Sequence, residues 1–90
     1  MAGRLHIMVR IYCDFNDGID ETRYSLSCAG SMEDIERLSD QLHDGLRVVL
    51  YQTHELEAEG TIEFDTRFKC WVGTPDWSTI RYLDEDTNAD

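Results

Sequence analysis

Basic residues are scarce in this chain. Eight lysines and arginines face nineteen aspartates and glutamates, Lys69 is the only lysine, and the net charge is -11. So negative a chain repels the phosphate backbone of nucleic acid and the anionic surface of a membrane, which excludes binding through a basic stripe. Cysteines are few and odd in number: Cys13, Cys28 and Cys70 lie far apart with no Cys-x-x-Cys pair. No disulfide framework is expected, and a reducing compartment, the cytoplasm, is the expected location. No apolar stretch is long enough to cross a bilayer, and Met1-Ala2-Gly3-Arg4 runs straight into a strand-like pattern with no leader-like segment. Gly30, Gly45, Gly60 and Gly73 are isolated, so no glycine-rich phosphate loop exists.

What is present is enough for one domain. The chain has 90 residues, of which 41% are hydrophobic. That excludes a disordered chain and leaves no room for a second domain. Residues 1–83 are expected to form a single α+β domain, and the polar stretch 84–90 a flexible acidic tail.

Leu5, Ile7, Val9, Ile11, Cys13 and Phe15 alternate with polar residues, the period of a half-buried strand. Thr22, Tyr24, Leu26 and Cys28 repeat the pattern. Asp17-Gly18 between them suits a two-residue type I′ loop, so a hairpin is expected in which Ile11 faces Tyr24 and Val9 faces Leu26. That register separates Cys13 from Cys28 by about 20 Å. Ser31 reads as a helix N-cap, with Glu33 and Asp34 in the first turn. Met32, Ile35, Leu38 and Leu42 form an apolar stripe, and Asp44-Gly45 a stop.

The second half reads as a meander. Leu46–Tyr51 is an apolar strand, and Glu55-Leu56-Glu57 lies at a turn. Ala58, Gly60, Ile62 and Phe64 alternate with acids, Asp65-Thr66-Arg67 turns, and 68–73 is a short aromatic strand. Thr74-Pro75-Asp76 punctuates it, and 77–83 forms a last strand. The expected fold is an antiparallel sheet of five or six strands, in the order β-β-α-β-β-β with an optional final strand, and one helix packed on one face. Gly60 in mid-strand also suits a strongly curved sheet or a small barrel.

No constellation announces a reaction. Asp14-Phe15-Asn16-Asp17-Gly18 is one residue short of a calcium-loop spacing. His6, His43 and His54 lack ligand spacing with the cysteines, so neither metal nor cofactor is expected. Cys70 has Lys69 beside it in sequence but on the opposite side of a strand. Two features remain. Trp71 and Trp77 flank a proline turn that includes Asp76, and with Tyr51 they are candidate contact residues for a ligand or partner. Asp40, Glu57, Glu59 and Glu63, beside other acids on the hairpin and helix, are candidates for an acidic docking surface. The expectation is a non-enzymatic protein-binding module: an inhibitor, immunity-type or accessory protein that engages a basic partner or pairs with itself along a sheet edge. The alternative is a small-ligand-binding protein or minor enzyme with a pocket near Trp71, Trp77 and Tyr51.

Overall fold

The computed structural model describes residues 8–83. The early strand positions Leu5 and Ile7, and the tail 84–90, lie outside the described residues. Within them the chain forms β1 (Arg10–Tyr12), β2 (Tyr24–Ser25), α1 (Ala29–Leu38), a 3₁₀ turn (Ser39–Gln41), β3 (Arg47–Gln52), β4 (Leu56–Asp65), β5 (Cys70–Pro75), a second 3₁₀ turn (Trp77–Thr79) and β6 (Arg81–Tyr82). The α+β class and the strand–strand–helix–strands order match the expectation. No helix among the described residues is long and apolar enough to cross a membrane.

The sheet itself is mixed. Its strand order is β1-β3-β4-β5-β2, with β6 also paired to β4. β1 runs parallel to β3, and the other pairs are antiparallel. The expected hairpin of the first two strands does not form. Ile11 lies opposite Leu50, Tyr24 lies opposite Gly73, and β1 and β2 stand at the two ends of the strand order. The local cause is aspartate chemistry. The Asp14 carboxylate accepts the Asn16 N–H at 2.9 Å, and the Asp17 N–H donates to the Asp14 carbonyl. Asp20 accepts the N–H groups of Thr22 and Arg23, both at 2.9 Å. Aspartates that bind their own nearby backbone make turns of their own. Here they make two in succession, and Gly18 does not take the positive φ that a type I′ loop requires.

The face assignment survives this change of partner. Ile11, Cys13 and Leu26 are fully buried in one cluster with Val48, Leu50, Ile62, Ile35 and Leu38, and Val9, Phe15 and Tyr24 pack against it. Leu50 is fully buried in it. A Cβ added at Gly60 or at Gly73 would lie 3.0 Å from a Leu50 methyl, so both glycines are the bare floor on which that side chain rests. Gly60 is tighter still, because its added Cβ would lie 2.5 Å from the Thr74 carbonyl oxygen. Near this point β4 exchanges neighbours on one edge, from β6 at Leu56 and Glu57 to β5 at residues 60–65.

The helix also departs from expectation. It begins at Ala29 with Cys28 as N-cap and ends at Leu38. Ser31 is buried inside it and donates its hydroxyl to the Tyr12 carbonyl. The buried positions are Ser31, Ile35 and Leu38, and Met32 is 50% exposed. The inward stripe is therefore set by Ser31 rather than Met32, because β1 presents a carbonyl that needs a donor there. Asp44 lies beyond the helix and accepts the Phe64 N–H at 2.8 Å, while Gly45 takes the expected positive φ of 89° in the following turn.

Gly60→Ala forces a Cβ against fixed backbone and should lower stability by about 2 kcal/mol or more. Gly18→Ala, which meets only ordinary contacts, should stay within about 0.5 kcal/mol of the parent. Urea denaturation midpoints of the two variants check the contrast.

Candidate functional site

Strand alternation places Glu57, Glu59 and Glu63 of β4 on the side opposite Ala58, Gly60 and Ile62. Arg10 and Arg47 occupy the matching polar positions of β1 and β3, so this face becomes a lattice of ion pairs. Arg10 meets Glu57 at 3.1 Å, and Arg81 approaches the other oxygen of the same carboxylate at 3.7 Å. Arg47 bridges Glu59 and Asp76, both at 3.0 Å. Arg23 is held by Asp20 at 2.9 Å, Asp65 at 3.0 Å and Glu63 at 3.3 Å. A cleft of about 280 Å³ opens on this face between Arg10, Val49, Glu57, Glu59, Thr79 and Arg81.

The proposed contact residues fall into separate places. Tyr51 lies under the Arg10 guanidinium, 4.7 Å from its ring centroid, and donates its hydroxyl to Asp34 at 2.9 Å. Asp76 caps the second 3₁₀ turn by accepting the Ser78 N–H at 3.1 Å and the Ser78 hydroxyl at 2.6 Å. With those bonds and Arg47, its carboxyl lies below the usual carboxylate range. Trp71 packs against the core and edge-on to Phe64, with ring centroids 5.7 Å apart. Trp77 belongs to another group, 5.5 Å from Phe15 and 6.2 Å from Tyr24. Neither tryptophan lines the cleft. Asp40 lies exposed on the first 3₁₀ turn. Glu57, Glu59, Asp76 and Tyr51 are thus drawn together through Arg10 and Arg47, while Asp40, Trp71 and Trp77 lie apart from them.

Sequence reasoning passed over the arginines that organise this face, and also Asp34. Their signal was parity: Arg10, Arg47 and Tyr51 occupy the same polar phase as the β4 acids. Asp34 draws three donors from three elements. It accepts the Tyr12 N–H and the Tyr51 hydroxyl, both at 2.9 Å, and an Arg37 N–H at 2.8 Å. Burial alone pushes its carboxyl up, but the bonds from Arg37, Tyr12 and Tyr51 outweigh that and hold it below the usual range.

The three thiols lie in different settings. Cys13 is fully buried, and burial, with a smaller contribution from Cys28, pushes it up to about 12. The separation of about 20 Å which the hairpin geometry implies does not hold: with β1 paired to β3, the end of β1 meets the start of α1. Ser31 marks the junction, 3.3 Å from the Cys28 sulfur and bonded to Tyr12. The Cys70 sulfur lies 3.8 Å from the Ser25 hydroxyl. Among the described residues, no group of histidines, cysteines and carboxylates is arranged to hold a metal ion.

The Asp34 carboxyl titrates lower in the folded chain than in the unfolded one, so its contribution is fully present above about pH 4 and fades as the pH falls through the folded value. Asp34→Ala leaves the Tyr12 N–H and the Tyr51 hydroxyl without their acceptor and should lower stability by about 1–3 kcal/mol near neutral pH. The loss should shrink as the pH is lowered below about 4. Urea midpoints at neutral and acid pH check both statements.

Comparison with known proteins finds no matching family model, no matching curated protein and no matching solved structure.

Proposed function

We propose that the chain is a protein-binding module, with no catalytic chemistry of its own, that engages a basic partner. One observation carries this reading: five of the six arginines among the described residues are taken up by the chain's own carboxylates. Arg10, Arg23, Arg37, Arg47 and Arg81 each lie against one or more carboxylates of the same chain. Arg23 faces three acids and Arg47 two, while Arg10 and Arg81 share one. The acids of the α1 region, Glu33, Glu36 and Asp40, are exposed with no ion pair among the described residues. Their field extends into solvent, where it steers and holds a cation-rich surface.

Three free cysteines accord with a reducing, cytoplasmic setting. The β1 edge offers little to a second copy of the chain, because Asp34 and Ser31 already occupy the N–H and carbonyl of Tyr12. That favours a different protein as the partner over strand-to-strand self-pairing. The cleft between Arg10 and Arg81 supports a second reading, a site for a small polar ligand. The two readings differ in salt response. A ligand in the cleft raises the melting temperature with little dependence on ionic strength.

Titration with a lysine-rich basic probe protein should show association at low salt that weakens by at least about tenfold as ionic strength rises from about 0.05 to 0.5 M. Glu33→Gln with Glu36→Gln and Asp40→Asn should weaken it several-fold while leaving the urea midpoint unchanged. Absence of association at low salt would overturn the basic-partner reading.

A further inference from the structure

Phe15, Tyr24 and Trp77 come from three separate parts of the chain and meet as one aromatic group. Phe15 and Tyr24 lie 5.3 Å apart at 71°, Phe15 and Trp77 5.5 Å apart at 53°, and Tyr24 and Trp77 6.2 Å apart at 85°. Both pairs with Tyr24 are edge-to-face and the Phe15–Trp77 pair is tilted, and together they fix the rings against one another. Packing does not use up the group, since Trp77 remains 42% exposed. Half-exposed tryptophan held on two other rings is the composition of an interface anchor.

The surroundings say what kind of side chain fits. The segment that carries Phe15 and leads into Tyr24 also carries Asp14, Asp17, Asp20 and Glu21. It lies against the aromatic group: Gly18 is bridged to Tyr24, and the Asp17 carbonyl accepts the Ser25 N–H at 3.0 Å. The segment's one basic residue, Arg23, is already bound by three carboxylates. The chain itself shows how its rings take cations, with the Arg10 guanidinium over Tyr51 at 4.7 Å and that of Arg67 over Phe68 at 5.9 Å. Tryptophan is the strongest such acceptor, and among the described residues no guanidinium lies over Trp77.

We propose that Trp77, with Phe15 and Tyr24 behind it, is the anchor for an arginine on a basic segment of a partner protein, and that Asp14, Asp17 and Glu21 meet the positive charges flanking that arginine. This rests on the basic-partner reading and adds the place and the side chain. The guanidinium lies flat on the indole, where lysine, a compact and strongly hydrated charge, fits less well. The acids bring the segment in, and the rings make the contact selective for arginine.

The test uses oligoarginine and oligolysine peptides of equal length, titrated into the whole chain at low salt and followed by amide and indole N–H resonances. Oligoarginine should bind several-fold more tightly than oligolysine. It should shift the Trp77 indole and the Gly18 amide most strongly, with smaller shifts at the Glu33 and Glu36 amides, and leave the Trp71 indole in place. Trp77→Leu keeps an apolar side chain on Phe15 and Tyr24 and should reduce oligoarginine affinity to that of oligolysine. Equal affinity of the two peptides for the parent chain, or shifts confined to α1 with no effect of Trp77→Leu, would overturn the anchor and leave the basic-partner reading standing. Absence of binding by either peptide would remove both.

Discussion

Everything in this fold depends on β1 running parallel to β3. A parallel pair cannot be closed by a tight turn, so the chain must leave β1, travel away, and return through a crossover that includes α1. The crossover has to be fastened, or β1 is a short strand with one bare side. Asp34 and Ser31 provide the fastening, since each binds a backbone group of Tyr12. Asp34 also holds the Tyr51 hydroxyl, so one carboxylate ties helix, edge strand and neighbouring strand together. Ile35 and Leu38 then bring the helix's apolar side into the same cluster as Ile11 and Leu50. The polar ties set where the helix lies, and the apolar contacts supply most of the burial.

The same economy governs charge. With nineteen acids and eight bases, an even scattering of signs is impossible. Among the described residues, the fold sets Arg10, Arg47 and Arg81 across the β4 face and Arg23 on the turn before β2, where each meets one or more carboxylates. These pairs are largely exposed, so each is worth little as a stabilising contact. Their effect is on the distribution of charge. The sheet face becomes a mixed lattice, and among the described residues acids without an ion pair are left on α1, on the 3₁₀ turn after it and on the segment that carries Asp14, Asp17 and Glu21.

Much of this was legible in the order of residues. Alternation identified which side chains of residues 9–28 face inward, and it placed β3, β4 and β5 to within a few positions. Gly60 stood out in mid-strand as a point of curvature, where the structure shows a close approach of the β5 main chain, and the turn that includes Asp76 was marked by its proline. The choice of strand partner was not legible. An alternating strand specifies its inward side, and any neighbour with a matching apolar side satisfies it, so Ile11 accepts Leu50 as readily as Tyr24. The small aspartate turns around Asp14 and Asp20 decided between them. Ile35 and Leu38 were read correctly as inward, but the helix start was read three residues late and Met32 was put in the place of Ser31, because Ser31 is both a good cap and a good buried donor and only the position of Tyr12 decides which. Of the candidate site, the β4 acids and Trp77 could be named, but their partners come from strands whose adjacency was unknown.

Leu50 resting on Gly60 and Gly73 has a consequence for how this sequence can drift. At Gly73 an added methyl would meet only the Leu50 methyls at 3.0 and 3.1 Å, and then Leu26 at 3.7 Å. Volume can therefore pass between positions 50 and 73, so that a smaller residue at one accommodates a larger one at the other. Position 60 has no such trade, because its obstacle is the main chain of β5. Among homologues, glycine is expected to be held at 60, with paired variation at 50 and 73.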